Sequence, residues 1–233
     1  MKGYIITGTS SGIGKSLVDI LLESPENRIL GICRNQTIKH ENYRHIAIDL
    51  NQIDEIDTID LPEWKDLNQI TLVHNAGSVG PIQKMGNQEL RSIASVYSIN
   101  LIAPAVLSNL FIAKYRSYSA QKVILSIGSG ASKNPIAGWG SYCSSKSGLD
   151  MLSKCISLEH PEIICLSIAP GKVDTPMQND IRCADETEFP RLKEFQQYFK
   201  DGKLISSRNV AEKFNMILKN PLNYLKIDRI SQI

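Results

Sequence analysis

The sequence predicts an α/β fold: a doubly wound parallel β-sheet with helices on both faces. Three observations point there. Short β-type runs alternate with longer stretches of helical period. The later runs are apolar without alternation, as in strands covered on both faces. The first run passes through a glycine-rich turn directly into a helix. Taken in order, Tyr4–Thr7 is the first strand, and Leu17, Ile20 and Leu21 give Ser16–Leu22 a helical spacing. Ile29–Cys33 and His45–Ile48 are the next strands. Ile70–His74, Val123–Ile127 and Ile163–Ile168 are buried strands, separated by helices near Glu89–Tyr115 and Ser141–Glu159. Open sheets of this kind bind ligands at the carboxyl ends of their strands.

Composition narrows the function classes. The 233 residues suit one domain, 1–233, and 42% hydrophobic and 21% charged residues exclude a disordered chain or a heptad rod. A net charge of +2, without a dense basic cluster, gives no reason to expect a nucleic-acid partner. Cys33, Cys143, Cys155, Cys165 and Cys183 are odd in number and lack CxxC spacing, which suits a reducing, cytoplasmic compartment. His40, His45, His74 and His160 form no ligand pair, so no metal is expected. Strand-forming residues from Tyr4 onward argue against a signal peptide. Ile99–Ala113 is interrupted by Asn100, Pro104, Ser108 and Asn109, and reads as a buried helix, with no membrane partner expected. Cys183–Lys203 is polar and mixed in charge, and lies in a helical substrate-loop insertion expected over about 178–206.

The turn after the first strand reads Thr7-Gly8-Thr9-Ser10-Ser11-Gly12-Ile13-Gly14-Lys15-Ser16. Strand, glycines and helix together make a phosphate-binding arrangement, because glycines admit the anion and helix-terminal N–H groups face it. Gly14-Lys15-Ser16 could end a P-loop, but that motif needs glycine at position 9, which is Thr9. GxGxxG also fails as written, and TGxxxGxG stands instead. An ordinary glycine-rich turn is the plain alternative. Twenty residues past Gly14, at the end of the second strand, Arg34 stands where a dinucleotide fold places an acid toward a ribose 2′-hydroxyl. A guanidinium there suits a 2′-phosphate and hence NADP(H); a solvated surface arginine is the alternative.

Tyr142 and Lys146 make YxxxK, four apart on one helix face. A free phenol titrates near 10, and a neighbouring cation should lower that value and ease proton exchange near neutrality. Ser129 precedes Tyr142 by thirteen residues at a strand's carboxyl end and fits best by spacing; the plain alternative is that Ser126, Ser129 and Ser132 are all loop serines.

These motifs together resemble the short-chain dehydrogenase/reductase family from Tyr4 to about Met177. Asn75-Ala76-Gly77 matches the family's NAG turn, with His74 where a second asparagine is common. Asn100 matches its helix asparagine, Asp49 the acid that meets the adenine, and Ala169-Pro170-Gly171 through Val173 and Thr175 its loop over the nicotinamide. The resemblance implies a Rossmann-type sheet and a homodimer. It also implies that Gly8, Ser10, Ser11, Gly12, Ile13, Gly14, Arg34, Asp49, Asn75, Ala76, Gly77, Pro170, Gly171, Val173 and Thr175 contact NADP(H). Tyr142 is then the proton donor and Ser129 orients the substrate. Lys146 holds the nicotinamide ribose, and Asn100 positions a relay water.

Gly138 to Leu152 and Asp174 to Gln178 look like the sepiapterin reductase branch, and Ser129 to Pro135 and Tyr142 to Lys146 look closer still to bacterial benzil reductases. That branch implies reduction of one ketone of an α-diketone or of a pterin side chain. Trp139 and Asp228 are candidate substrate contacts. A 3-oxoacyl-thioester reductase, another alcohol dehydrogenase and a non-catalytic NADP-binding regulator stay open.

Overall fold

The computed structural model describes residues 1–233. Six strands form one parallel sheet: β1 (Lys2–Thr7), β2 (Asn27–Cys33), β3 (Tyr43–Ala47), β4 (Gln69–His74), β5 (Gln121–Ile127) and β6 (Ile163–Ile168). Their spatial order is β3-β2-β1-β4-β5-β6. The order reverses at β1, which pairs in parallel register with β2 on one side and β4 on the other. This is the predicted Rossmann-type α/β fold.

Alternation along the strands feeds two apolar layers. Tyr4 and Ile6 of β1 face one layer, closed by α1 (Gly12–Leu21) and, much later in the chain, the helix Ser207–Lys219. Ile5 faces the other, where Ile56 of α2 (Ile53–Asp57) packs. That layer is covered by a continuous helix from Leu90 to Tyr115, comprising α3 (Leu90–Tyr97), one wide turn at Ser98–Ile102, and α4 (Ala103–Tyr115). Ala103, Leu107 and Phe111 of α4 are fully buried on the sheet, beside Ile156 of α5 (Gly140–Glu159). The stretch Leu90–Tyr115 is long and apolar enough to cross a bilayer, yet here it is the helix that roofs β4 and β5.

Two element boundaries beside the crevice differ from expectation. The first helix begins at Gly12, because the glycine turn is itself its first turn. β3 ends at Ala47, which leaves Asp49 in the following turn. After β6 come a two-residue strand β7 (Val173–Asp174), α6 (Pro176–Arg182) and α7 (Leu192–Lys200). The strand β8 (Ile205–Ser206), paired with β7, and α8 (Ser207–Lys219) follow. The stretch 178–206 thus holds most of α6, all of α7 and β8. Helix α8 was not expected, although Val210, Phe214 and Ile217 carry its period and Ser206 caps it by accepting from the Asn209 N–H at 3.1 Å.

Candidate active site

The crevice opens where β1 and β4 part. Thr7 Oγ1 accepts hydrogen bonds from the N–H groups of Asn75 (3.1 Å) and Ala76 (3.0 Å). Asn75 Nδ2 donates back to the carbonyls of Thr7 (2.9 Å) and Gly8 (3.0 Å). Each loop thus fixes the other. Gly8 and Gly12 have φ of 72° and 56°, a region side chains rarely adopt. Gly14 meets a second requirement: a Cβ there would lie 2.3 Å from both the Gly8 carbonyl oxygen and Asn75 Nδ2. Ser11, at the head of α1, makes no side-chain capping bond, so the helix's first N–H groups remain free for an anion.

A cavity of about 1170 Å³ follows this crevice. Arg34 and Asp49 line one end, then Gly8, Ser10, Ser11, Gly12 and Ile13, with Asn75, Ala76 and Gly77 beneath. Pro170, Gly171, Val173 and Thr175 form the opposite wall, and Ser129, Trp139, Tyr142, Lys146 and Asp228 close the far end. Gly14 and Asn100 stand behind this wall. The volume exceeds the roughly 300–1,000 Å³ usual for one small ligand, as a site for cofactor plus substrate should. A nicotinamide dinucleotide fits these residues: the positive-φ glycines and uncapped helix would hold its diphosphate. Arg34 is exposed and makes no ion pair or hydrogen bond within the chain. Asp49 Oδ1 instead accepts from the N–H (3.0 Å) and Nδ2 (3.1 Å) of Asn51.

Tyr142 and Lys146 project from α5 into the cavity, both buried. Ser129 caps a short 3₁₀ turn, its Oγ accepting from the Ala131 N–H at 3.2 Å. Burial raises the Tyr142 phenol above its ordinary value, and the Ser129 side chain opposes the rise. The expected lowering by Lys146 is not found. Lys146 Nζ instead donates to the Ile127 carbonyl at 2.9 Å, and burial brings its own pKa down to about 8. Desolvation dominates both groups.

Asn100 lies in the wide turn with 1% of its surface exposed. Its Oδ1 accepts from the Ser78 N–H (2.9 Å), and its Nδ2 donates to the Ser78 carbonyl (2.8 Å) and to Ser145 Oγ (3.0 Å). The side chain therefore clamps the end of the Asn75-Ala76-Gly77 turn; both amide hydrogens are spent, and Oδ1 keeps one lone pair. His74 is buried, its Nε2 2.9 Å from Ser108 Oγ, and burial first and the Lys146 charge second push its pKa down to about 3. It is a neutral packing residue. Burial raises the Cys143 thiol, so Cys143 is packed, not activated.

The substrate end is aromatic. Trp139 is buried, stacked on Phe189 at 5.2 Å between centroids, edge-on to Tyr142 at 5.3 Å and tilted to Phe195 at 5.4 Å. Phe189, Leu192 and Phe195 went unnoticed in the sequence, though their three-residue spacing within a polar stretch marks an inward face. Gln178 and Ile181 of α6 also line the cavity. Glu188 fastens this cover, its carboxylate accepting from the Lys84 N–H (2.7 Å) and Asn87 Nδ2 (2.6 Å). Asp228 does reach the cavity, held beside the end of β6 by its carbonyl accepting from the Ala169 N–H at 2.8 Å. Its carboxylate is paired with Lys133, which keeps it below the usual range, with Arg229 Nε 3.5 Å away.

Comparison with known proteins agrees with this geometry. The family profile of short chain dehydrogenases matches residues 2–186. A benzil reductase ((S)-benzoin forming) of Bacillus subtilis is 35% identical over 224 residues, covering 91% of this chain and 90% of its own. A sepiapterin reductase of Rattus norvegicus is 27% identical, covering 92% and 90%. A short chain dehydrogenases/reductase crystal structure from Saccharomyces cerevisiae superposes with a TM-score of 0.84 at 24% identity, covering 93% and 90%.

Proposed function

The chain belongs to the short-chain dehydrogenase family, an oxidoreductase family that uses nicotinamide cofactors, and we propose from that premise that it is an NADPH-dependent carbonyl reductase. Its substrate on this reading is one ketone of an α-diketone, or of a pterin side chain, and its product is the hydroxyketone or alcohol. The observation that carries the reading is that Ser129, Tyr142 and Lys146 line the same cavity that Arg34 lines. Arg34 has no acidic partner to neutralise it, which favours a 2′-phosphate over a 2′-hydroxyl. The apolar wall of Trp139 and Phe195 favours a flat, aromatic substituent beside the reacting carbonyl. The names of the Bacillus subtilis and rat relatives point to the same substrate class.

Bound NADPH supplies the hydride, one hydrogen with two electrons, that reduces the carbonyl carbon. Ser129 Oγ donates to the substrate oxygen and holds it at the phenol. Tyr142 Oη gives that oxygen its proton, so carbonyl plus hydride plus proton balance as the alcohol. The Tyr142 phenolate then regains a proton from solvent. A charged Lys146 within reach of that oxygen would favour the phenolate. Lys146 has three donors and spends one on Ile127, leaving two for the ribose and for the relay. Asn100, held by Ser78 and Ser145, positions the relay water. Asp228, paired with Lys133, borders the substrate.

Exposed Leu90 on α3 and Met151 and Leu158 on α5 give these two helices an apolar outer face, on which a second copy would pair about a two-fold axis. The five free cysteines fit a cytoplasmic enzyme.

The test is nicotinamide absorbance with purified protein, NADPH or NADH, and benzil, sepiapterin or a 3-oxoacyl thioester, with Tyr142→Phe as control. Fast oxidation of NADPH with benzil or sepiapterin and a dead control are expected. Preference for the thioester would move the substrate assignment. Tight NADPH binding without turnover of any carbonyl would leave a regulator.

A further inference from the structure

Helix α5 carries three polar side chains in a row along its cavity face. Tyr142, Lys146 and Asp150 follow one another at intervals of four residues, each about one helical turn from the last, and all three line the cavity. The mechanism uses the first two. Asp150 has no part in it, yet its carboxylate is fixed, with Oδ1 accepting from Ser167 Oγ at 2.5 Å. Ser167 belongs to β6 and stands in register with Ser126 of β5. Lys146 Nζ is anchored next door, on the carbonyl of Ile127. Gly128 joins the two anchors: it follows Ile127 directly, and a Cβ on it would lie 3.0 Å from Ser167 Oγ. The ammonium and the carboxylate are thus pinned around one glycine.

Lys146 needs a countercharge. It is 4% exposed, and burial disfavours an ammonium by removing the water that stabilises its charge. The other groups that face it supply none. Tyr142 on its own helix is a neutral phenol, and His74 at the end of β4 is a neutral imidazole. The wide turn brings the Asn100 amide, and β5 brings a carbonyl. Of the other acids that line the cavity, Asp49 bonds Asn51, Asp228 pairs with Lys133, and Asp180 lies on α6. Burial lowers the Lys146 pKa, and Asp150 opposes the fall. A charge acts at a distance and needs no direct bond. Held by Ser167 and not by the ammonium, Asp150 supports the charge while Lys146 keeps two N–H groups uncommitted.

We propose that Asp150 is a positioning residue: a countercharge, fixed by Ser167, that keeps Lys146 charged and so fit to hold the nicotinamide ribose and to favour the Tyr142 phenolate. The proposal rests on the reductase reading above. It adds a third member to the helix face, one that acts through Lys146. The sign follows directly. Without the carboxylate, Lys146 loses its proton at a lower pH, and the alkaline limb of the activity moves down with it.

Asp150→Asn keeps the shape and can still accept from Ser167, so it removes the charge alone. Asp150→Glu keeps the charge on a longer arm. The first readout needs no turnover. With lysine isotope-labelled at Cε, NMR follows the titration of Lys146 in the cofactor-free protein, its signal assigned by its loss in Lys146→Met. That signal should titrate at about 8 in the wild type and about one pH unit lower in Asp150→Asn. Asp150→Glu should bring it most of the way back. The second readout is kcat/KM for NADPH with benzil fixed, which reports the same free-enzyme group. In Asp150→Asn its alkaline limb should move down by the same amount, a loss of about fivefold at pH 8 and almost none at pH 6. An unmoved Lys146 signal would overturn the proposal. So would an equal loss at pH 6 and pH 8, the mark of a merely structural role, or a displacement as large in Asp150→Glu as in Asp150→Asn. A Lys146 signal that moves as expected, in a protein that reduces neither benzil nor sepiapterin, would refute the reductase reading and leave the countercharge standing.

Discussion

Arg34→Ala tests the cofactor assignment at a single contact. The guanidinium stands directly after β2, exposed and with no partner in the chain, so its removal disturbs no internal bond. Its whole effect should fall on what occupies the cavity end it shares with Ser10 and Asp49. A hydrogen bond to a charged group contributes about 1.5–3 kcal/mol. Solvent screens an exposed pair, so the lower part of that range applies, about 1.5–2 kcal/mol. At about 1.36 kcal/mol per factor of ten, the KM for NADPH should rise roughly ten- to thirtyfold. NADH carries a 2′-hydroxyl and should bind the variant as it binds the wild type, so the preference for NADPH should shrink by the same factor. Raising ionic strength should shrink it in the wild type but not in the variant. The assay is kcat/KM for each cofactor at low and high salt, with benzil fixed. An equal loss for NADPH and NADH would mean that Arg34 shapes the pocket without reading the phosphate. No loss for either would make it a solvated surface arginine.

Tyr142→Phe removes the proton donor and should lower kcat by roughly 10²–10⁴-fold while NADPH fluorescence titration shows unchanged binding; parallel loss of both would refute the role. Gly14→Ala should abolish NADPH binding and lower Tm, because the new methyl meets the Gly8 backbone oxygen, which cannot move without opening the turn; thermal melts with and without NADPH check this. His74 bears on acid stability. Its folded pKa lies near 3, below the ordinary 6.5, so as pH falls from 6.5 toward 3 the unfolded chain takes up a proton that the fold excludes. Stability should fall over that window by up to about 1.4 kcal/mol per pH unit, and urea melts of His74→Asn should show a shallower slope.

Much of the fold was legible because local chemistry and global architecture agree. The apolar runs from β4 to β6 could be read as buried strands because helices do cover both of their faces. Gly8, Gly12 and Asn75 could be read because a turn with positive φ and a clamp across two loops tolerates few other residues. Boundaries were harder. The glycine turn is at once loop and first helical turn, so periodicity placed the start of α1 late. The substrate end was least legible: Phe189 and Phe195 come to Trp139 only through the path of α6 and α7, and no spacing from the catalytic motif specifies that.

The electrostatic expectation failed for a different reason. YxxxK reports that two side chains share a helix face, but it does not report what each faces across the groove. Lys146 turns its ammonium to the Ile127 carbonyl, and burial, the largest influence on both groups, outweighs any effect of one on the other. A sequence motif encodes proximity, whereas a pKa depends on solvent and on competing partners. Asn100 reverses the case. Its motif suggested a role at a relay water, and what the motif does not report is the clamp: both amide hydrogens and one oxygen lone pair are spent on Ser78 and Ser145, which spacing along the chain does not specify.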